Sequence, residues 1–398
     1  MENLLRRAKA SVDPELVEIL SGALSVSRER AERLLESKAT RVLRYKSVRY
    51  ITIRRDISGH YEGTIILIST RTGEYRKVEG YPHIKRVLLL SKAVPKHFID
   101  DVVVEEKMDG HNVRVVRFEG EIYAITRGGY ICPYTTSRMR RKYGRGLERL
   151  FDSLGDDLVV GGEVVGLENP YTRYHYPEAP DWDYFVFDMY RDPLDFLPVD
   201  ERRSAAEEAG LRNVRELGRH PKEEWARIRE VIEGLEKLGR EGVVIKDPYY
   251  RVEPLKYTTS FINVHDIEQG MRFPFDEGHS FIFPRVLREM FKAVEEEWGE
   301  ERVRAEAHRI GEAIFLPAVE SIYKYLRGEP LAERFALSFA SRDEMDEYIS
   351  YAASLGVPVS VISIEESPDG SLRAVFLKHK KTEDHYRRIF STGLSPLD

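Results

Sequence analysis

The sequence predicts an α+β fold whose sheets are mainly antiparallel. Before residue 260, apolar residues recur with a period of two in many short runs, which is typical of strands. Between residues 96 and 260 these runs alternate with loops, which favours antiparallel pairing. After about residue 266 long amphipathic helical patterns follow. We therefore expect an antiparallel-sheet domain with a β-rich module before it and a helical plus small α+β region after it.

The first part of the chain, residues 1–95, predicts helix followed by a β-rich module. Residues 1 to about 45 carry apolar side chains at helical spacing. From Tyr50 the period becomes two, and the runs at 51–53 and 64–68 flank a Gly-containing turn, which predicts a β-hairpin. The short apolar run Val87–Leu90 predicts a further strand.

The middle of the chain, residues 96–265, predicts the antiparallel-sheet domain. One stretch, 200–238, is rich in helix formers and predicts helix. The predicted strands are 101–107, 113–118, 121–126, 158–166, 183–189 and 242–246.

The last third predicts a helical segment at 266–330 and a small α+β domain at 331–398. Two amphipathic helices are expected at 283–297 and 301–326, separated at Gly299. Their apolar stripe fits an internal core or a two-fold interface equally well. The pattern that follows is strand, helix, strand, strand, helix, with a Pro-Asp-Gly hairpin turn.

Composition excludes several classes of protein. The 398 residues contain no stretch of about 20 uncharged apolar residues, so no membrane span is expected. One cysteine, Cys132, excludes an internal disulfide framework, and we expect a reducing, cytoplasmic compartment. The histidines show no metal-ligand spacing, so no zinc site is expected.

The balance of acidic and basic residues limits the kinds of partner that the protein can bind. Charged residues make up 33% of the chain, with 68 acids against 62 bases and a net charge of −6. This argues against a protein coated in basic residues for duplex DNA, although a local basic groove remains compatible with it. High and balanced charge is also compatible with the ion-pair networks of a thermophile.

Several charged residues stand at the edges of apolar strands. The sharpest element is Glu105-Glu-Lys107-Met-Asp109-Gly110, in which a strand delivers a lysine into a turn. Alone, this pattern is weak evidence. The elements that follow it in order are Thr126–Gly129 with Arg127, Gly161–Gly166 with Glu163, Phe185–Asp188 with Phe187, Glu241–Lys246, and Leu255–Tyr257 with Lys256.

These charges predict a shared groove, because charged groups are costly to desolvate unless they face a ligand or one another. We expect Lys107, Glu163, Glu241, Lys246 and Lys256 to face that groove. Lysines around a nucleophilic lysine attract a triphosphate and lower the pKa of that nucleophile. Carboxylates in the same groove hold a divalent metal, and an aromatic ring stacks on a base.

The ordered set, spanning residues 105–256, resembles the covalent nucleotidyltransferases, which comprise ATP-dependent DNA and RNA ligases and mRNA capping enzymes. The resemblance implies that the central domain is a nucleotidyltransferase (adenylation) domain and that ATP is a substrate. It implies that Lys107 attacks the α-phosphate and becomes a lysyl-nucleotide. It also implies that Asp109, Gly110 and Asn112 help bind ATP, that Glu163 contacts the ribose or the metal, and that Glu241 holds the metal, Mg²⁺ or Mn²⁺.

The resemblance implies further contacts with the nucleotide. Arg127 is expected on the ribose and Phe187 on the face of the adenine. Glu105 is expected to help read the purine edge. Lys246 and Lys256 are expected on the α-phosphate, although the last motif has one lysine where many relatives have two.

Two features single out one branch of this superfamily. DNA ligases and capping enzymes usually carry arginine five residues past the nucleophile, whereas this chain has Asn112 there, which resembles RNA ligases. The last third does not fit the five-stranded barrel that DNA ligases and capping enzymes carry. Two helices and a small α+β unit instead resemble the archaeal-type homodimeric ATP-dependent RNA ligases.

That resemblance implies an enzyme that joins or circularises RNA carrying 5′-phosphate and 3′-hydroxyl ends, working as a homodimer. The alternatives are a DNA ligase, a capping-type guanylyltransferase, and a nucleic-acid-binding relative without covalent chemistry. The joint presence of Lys107, Lys246 and Glu241 argues against the last.

A basic cluster follows the second motif. The hypotheses are that it binds RNA phosphates or pyrophosphate, or that it forms a solvated helical face, and the sequence does not decide between binding and a solvated face. Its members are Arg138, Arg140, Arg141 and Lys142.

Overall fold

The N-terminal module packs two helices against a four-stranded antiparallel sheet of order β1-β2-β3-β4. The structure, a computed structural model, describes residues 12–193, 195–277 and 279–397. The elements of the module are α1 (Pro14–Leu24), α2 (Arg28–Glu36), β1 (Thr40–Tyr45), β2 (Val48–Ile53), β3 (Ile65–Ser69) and β4 (Tyr75–Val78).

The predicted hairpin is confirmed, since β2 pairs antiparallel with β3. The helix predicted to reach about residue 45 is wrong at its end, because α2 stops at Glu36 and β1 follows. Residues 1–11 of that prediction lie outside the described residues. The strand predicted at Val87–Leu90 is also wrong: Leu90 begins a helix whose apolar face is buried.

The central domain contains two five-stranded sheets. Their orders are β11-β10-β9-β7-β8 and β12-β6-β13-β14-β5. The elements are β5 (Lys85–Arg86), α3 (Leu90–His97), β6 (Val102–Lys107), β7 (His111–Phe118), β8 (Glu121–Thr126), α4 (Pro133–Leu154), β9 (Val159–Val165), β10 (Asp183–Tyr190), α5 (Val199–Glu208), β11 (Arg212–Asn213), β12 (Glu216–His220), α6 (Trp225–Lys237), β13 (Gly242–Lys246) and β14 (Leu255–Thr258).

The strands predicted here are confirmed, but the helix predicted over 200–238 is wrong in its middle. Gly210 takes a φ of +70° after α5, and the chain then joins both sheets as β11 and β12 before α6 begins. Helix α4 was not predicted as an element. Gly146 lets α4 lie against the loop after α5, because a Cβ there would stand 1.9 Å from the Ala209 carbonyl oxygen.

The C-terminal third follows the predicted order of elements. Strand, helix, strand, strand, helix is confirmed, as is the turn at Gly370, where φ is +83°. No helix of the described ranges is long and apolar enough to cross a membrane. The elements are α7 (Ser260–Met271), α8 (His279–Glu295), α9 (Glu300–Leu326), β15 (Ala332–Phe339), α10 (Arg342–Ser354), β16 (Val359–Glu366), β17 (Leu372–His379) and α11 (Thr382–Thr392).

The C-terminal sheet shares a core with the central domain. Tyr134 of α4 packs edge-on against Phe339 of β15, with ring centroids 5.4 Å apart. Beside this contact the buried carboxylate of Glu168 accepts hydrogen bonds from Arg138 and Ser338 and, at 2.6 Å, from Arg373. The C-terminal domain is therefore docked by apolar contact and by a buried carboxylate that joins residues from both sides.

We expect Glu168→Gln to lower the free energy of unfolding by about 3 kcal/mol, because it leaves arginines facing a neutral amide in a buried site. Chemical denaturation followed by fluorescence measures this change. Glu121→Gln is the matched control, since its exposed pair with Arg140 contributes less than about 1 kcal/mol. Equal effects of the two substitutions would contradict the role of Glu168.

Candidate active site

Residues from both central sheets line one cavity of about 470 Å³, which we call the central cavity. Most of the residues singled out from the sequence lie in its wall. Asp109 and Glu241 stand at its margin, where a second cavity begins. The predicted residues in the wall are Glu105, Lys107, Gly110, Asn112, Arg127, Glu163, Phe187, Lys246 and Lys256.

Strand register explains how distant motifs meet. In one sheet β6 pairs antiparallel with β13 so that Lys107 lies opposite Gly242, beside Glu241. In the other sheet Asn112 of β7 lies opposite Glu163 of β9, and opposite residues of paired strands share a face. The residue next to Glu241 must be glycine, since a Cβ on Gly242 would stand 2.1 Å from the Tyr257 carbonyl oxygen.

Lys107 is held as an ammonium ion. Its Nζ lies 2.6 Å from Glu241 Oε1. Burial works to lower the pKa of Lys107, but Glu241, Glu163 and Asp109 outweigh burial and hold that pKa above its usual value. The expectation that neighbouring lysines lower the pKa of Lys107 is therefore wrong for this state, because the carboxylates are the stronger neighbours.

The lowered pKa belongs to Lys256 instead. Burial, together with Lys107, Arg86 and Arg127, brings the pKa of Lys256 down to about 8. Within the described ranges its ammonium makes neither an ion pair nor a hydrogen bond, and it faces the central cavity. A desolvated and unpaired cation in a cavity wall is suited to an anionic ligand.

The carboxylates near Lys107 are crowded. Burial, with Glu241 and Asp109 nearby, raises the pKa of Glu163 to about 8. Burial and the charge of Glu241 raise the pKa of Asp109 to about 8 as well. Glu241 Oε2 is buried without a hydrogen-bond partner in the described structure.

This crowding bears on the predicted metal site. In the described ranges no three His, Cys, Asp or Glu side chains are already arranged around a metal position. Carboxylate oxygens with an excess of negative charge nevertheless fit a hard divalent cation that takes its remaining ligands from water and phosphate. Glu163 and Glu241 are thus chemically suited to the role predicted for them.

Lys246 and Glu105 form the floor of the cavity rather than free ligands. Lys246 Nζ donates to the Phe187 carbonyl oxygen at 2.6 Å and to Asp188 Oδ1 at 2.8 Å, and it lies 2.8 Å from Glu105 Oε2. Glu105, which is 1% exposed, is also paired with Arg202. In this conformation Lys246 is held by two hydrogen bonds and an ion pair, and the Glu105 carboxylate is paired with three cations: Lys246, Arg202 and Arg203.

Arg127 is presented by a loop that the N-terminal module supports. The Thr52 hydroxyl donates to the Gly128 carbonyl oxygen at 2.9 Å. The buried guanidinium of Arg114 donates to the carbonyl oxygens of Gly63 and Thr126, at 2.7 and 3.0 Å. Gly63, at a φ of +85°, has no room for a Cβ, which would stand 1.9 Å from the Arg127 carbonyl oxygen.

Several residues of the site were missed from the sequence. Asp188 holds Lys246 and accepts a hydrogen bond from Tyr81. Arg202 was predicted only as part of the helix over 200–238. Arg86 directly precedes the strand that was wrongly predicted at 87–90. Of these residues only Asp188 stood out in the sequence, because it is an acidic residue at the end of a predicted aromatic strand.

The basic cluster does not reach the central cavity. Each member on α4 is paired with a carboxylate: Arg138 with Glu168, Arg140 with Glu121, Arg141 with Glu344 and Lys142 with Asp183. The prediction that this cluster binds RNA stays a prediction. Its charges are already engaged in ion pairs within the protein.

Comparison with known proteins gives consistent matches. Residues 100–258 match the RNA ligase family model, and residues 269–392 match the model described as the Ligase Pab1020 C-terminal region. An uncharacterised protein of Methanocaldococcus jannaschii is 36% identical over 371 residues, which is 91% of this chain and 92% of that protein.

Solved structures extend the likeness to the whole fold. Two forms of an archaeal ATP-dependent RNA ligase are each 34% identical, with a TM-score of 0.85, over 95% of this chain and 99% of that one. A candidate ATP-dependent DNA ligase from Aquifex aeolicus is 27% identical, with a TM-score of 0.80, over 92% of this chain and 100% of that one.

The two lysines of the cavity should respond oppositely to removal of their charge. We expect Lys256→Met to raise the free energy of unfolding at pH 7 by about 1 kcal/mol, since it removes a desolvated, unpaired cation. Lys246→Met should lower it by about 3 kcal/mol, since it removes the cation paired with the buried Asp188 carboxylate. Denaturation at pH 7 measures both.

The effect of Lys256→Met should also depend on pH. The folded pKa of about 8 lies below the ordinary 10.5, so the unfolded chain binds more protons between these values and wild-type stability gains there. The advantage of the variant should therefore be full below pH 8 and shrink as the pH rises towards 10.5. A constant difference across this range would contradict the assigned state of Lys256.

Proposed function

The chain belongs to the family of archaeal ATP-dependent RNA ligases, and we propose that it seals RNA ends through a lysyl-AMP intermediate on Lys107. One observation carries the proposal. Lys107 stands in a cavity wall together with Arg127, Glu163 and the unpaired Lys256. A nucleophile, a polar wall for a ribose and a free cation for a phosphate are what transfer of an adenylyl group requires.

The reaction begins with ATP in the central cavity. Lys256, which lacks a partner in the described ranges, takes the α-phosphate, and Phe187 lies against the base. Lys107 must first give up its proton, and Glu241 is the acceptor within hydrogen-bonding distance at 2.6 Å. The free amine then attacks the α-phosphorus, forming a phosphorus–nitrogen bond as the bond to the pyrophosphate oxygen breaks.

Two transfers complete the ligation. A 5′-phosphate oxygen of RNA attacks the phosphorus of lysyl-AMP, which frees Lys107 and leaves AMP linked to the RNA end. A 3′-hydroxyl then attacks the RNA phosphate, and AMP departs. The protein contributes mainly alignment and charge, because each step moves a phosphoryl group between oxygen or nitrogen atoms held in place.

A divalent cation is part of the proposal. It would be held by Glu163, whose pKa is raised by burial and by neighbouring acids, and by Glu241, whose Oε2 is buried without a hydrogen-bond partner in the described structure. When bound, Mg²⁺ or Mn²⁺ supplies positive charge that offsets the charge of the phosphates.

The choice of RNA over DNA rests on two features. Asn112 replaces the arginine usual in DNA ligases, and its Oδ1 is buried in the cavity wall without a partner in the described structure. The chain is also more similar to the archaeal RNA ligase than to the Aquifex protein, at 34% against 27% identity. Because the latter likeness is also extensive, DNA ligation remains the alternative to be tested.

We further propose a homodimer. Phe283, Met290 and Val294 are 54–69% exposed and fall on one stripe of α8. Phe315 and Leu326 form a similar stripe on α9, with exposures of 67% and 57%. Apolar side chains exposed in rows are typical of subunit interfaces.

The adduct can be detected directly. Incubation with ATP and Mg²⁺ should add the mass of one AMP to the wild-type protein and none to Lys107→Ala, as read by mass spectrometry. Lys92→Ala is the matched control, because Lys92 is exposed on α3, outside the central cavity. A wild-type protein that forms no adduct would reject the covalent mechanism and favour a binding relative.

The strand and nucleotide are read in the same assay. With GTP in place of ATP no adduct is expected, whereas a capping-type enzyme would prefer GTP. Matched 5′-phosphorylated RNA and DNA strands should yield sealed product from the RNA, and sealing of DNA alone would establish the alternative.

The dimer has its own test. We expect light scattering to give twice 46.2 kDa for the wild-type protein and a single chain for Phe315→Glu, because a buried charge would oppose association. Arg304→Glu, which alters charge at an exposed position of the same helix, should remain dimeric. A monomeric wild-type protein would contradict the proposal.

A further inference from the structure

A second and larger cavity, which we call the interdomain cavity, opens from the central cavity. It has a volume of about 1270 Å³ and lies between helices α7, α8 and α9 and strands β15 and β17. Gly110 and Tyr171 line both cavities, so the two form one continuous cleft. The volume exceeds the range of about 300–1,000 Å³ typical of small-molecule sites, which favours part of a polymer as the occupant.

Strand β17 and the residue that follows it bring two lysines into this cavity, because side chains alternate between the two faces of a strand. Its core-facing row is Leu372, Ala374 and Phe376, all buried. Side chains two apart in a strand share a face, so the same row continues as Lys378 and then Lys380, where the apolar core ends and the cavity begins. These lysines therefore hold positions that would be apolar in a strand serving only the core.

Arg173 of the central domain completes a cluster of three cations. Its guanidinium lies 5.1 Å from the ring centroid of Phe335, which stacks on Phe376 at the end of the same core. Arg173 is paired with Glu333, and Lys380 Nζ lies 2.9 Å from the same carboxylate. Glu333 is opposite Lys378 in the sheet, yet within the described ranges Lys378 has no ion pair or hydrogen bond.

Lys378 lacks a bonded counter-charge within the described ranges. Asp276 and Glu277 lie near enough to attract its ammonium, but burial and the nearby charges of Lys380 and Arg173 outweigh them and bring the pKa of Lys378 down to about 8. Elsewhere in the wall, by contrast, Arg285 is paired with Asp266 at 2.6 Å. A buried cation without a bonded partner at one end of the cleft is suited to a ligand whose negative charge offsets the cost of its desolvation.

We infer that the interdomain cavity binds the phosphodiester backbone of the substrate RNA, with Arg173, Lys378 and Lys380 holding a phosphate near the reacting end. This inference rests on the proposed ligase function and adds the path of the strand. Tyr171 lies between the two cavities, two residues before Arg173, so a strand whose end reaches Lys107 passes it on the way to the cluster.

The test separates RNA binding from adenylation. Lys378→Met should form lysyl-AMP like the wild type, since that step uses ATP alone. It should bind a 5′-phosphorylated single-stranded RNA about fivefold more weakly near 0.1 M salt. The slope of log affinity against log salt should fall by about 0.7, the value for one phosphate that is no longer neutralised by a lysine. Fluorescence anisotropy over a salt titration gives both values.

Three further variants sharpen the test. Lys381→Met removes the same charge one residue outside the cavity wall and should leave both values unchanged. Lys378→Arg keeps the charge and should restore the slope. Glu333→Gln removes the carboxylate shared by Arg173 and Lys380 and should tighten RNA binding. These last two report on the cluster even if Lys378→Met fails to fold.

Each other outcome overturns the inference. Unchanged affinity and slope in Lys378→Met, with no change of binding in the other variants, would show that the cluster does not touch the RNA backbone. Loss of adenylation with intact RNA binding would assign the cluster to the triphosphate tail of ATP. If the wild type itself forms no adduct, the proposed function fails first, so the two failures are distinguishable.

Discussion

The antiparallel pairing of β6 with β13 is the constraint on which the site depends. It sets Lys107 opposite Gly242 and beside Glu241, and the lack of a side chain on Gly242 lets β14 pair closely with the other edge of β13. A shift by one residue would turn Lys107 to the opposite face and bury its charge in an apolar core. The chemistry of the cavity is therefore specified by backbone pairing before the side chains come together.

Two lysines in one wall show how environment decides the use of an ammonium group. Lys246 has two hydrogen-bond acceptors and an ion-pair partner, and it joins Phe187 and Asp188 to Glu105. Lys256 has none in the described ranges and is surrounded by other cations. The first stabilises the protein, and the second lowers its stability but supplies the cation to which we assign the phosphate in the proposed reaction. Lys107 lies between these cases, because its ammonium is paired with one carboxylate, that of Glu241.

The sequence predicts more of the residues that line the central cavity than of the residues that hold them in place. Charged residues at the ends of apolar strands, such as Lys107 and Glu241, can be recognised in the sequence because the apolar pattern and the charge lie within a few residues of each other. The partners of those charges are not visible: Arg202 is one of several arginines in a helical pattern, and nothing local indicates that it reaches Glu105. The two short strands that interrupt the stretch 200–238 could not be predicted from the sequence either, because they are defined by their pairing with β10 and β6. The pKa of Lys107 was mispredicted because the sequence gives the identity of its neighbours but not their distances.

The loop that carries Arg127 is supported by the N-terminal module through Thr52 and Gly63, and by Arg114 of β7. All of these contacts are made to main-chain atoms, so they are indifferent to the side chains of the loop. The N-terminal module and the central domain are consequently matched to each other. A module from a relative with a side chain at the position of Gly63 would meet the Arg127 carbonyl oxygen and displace the loop that carries Arg127, without any substitution in that loop.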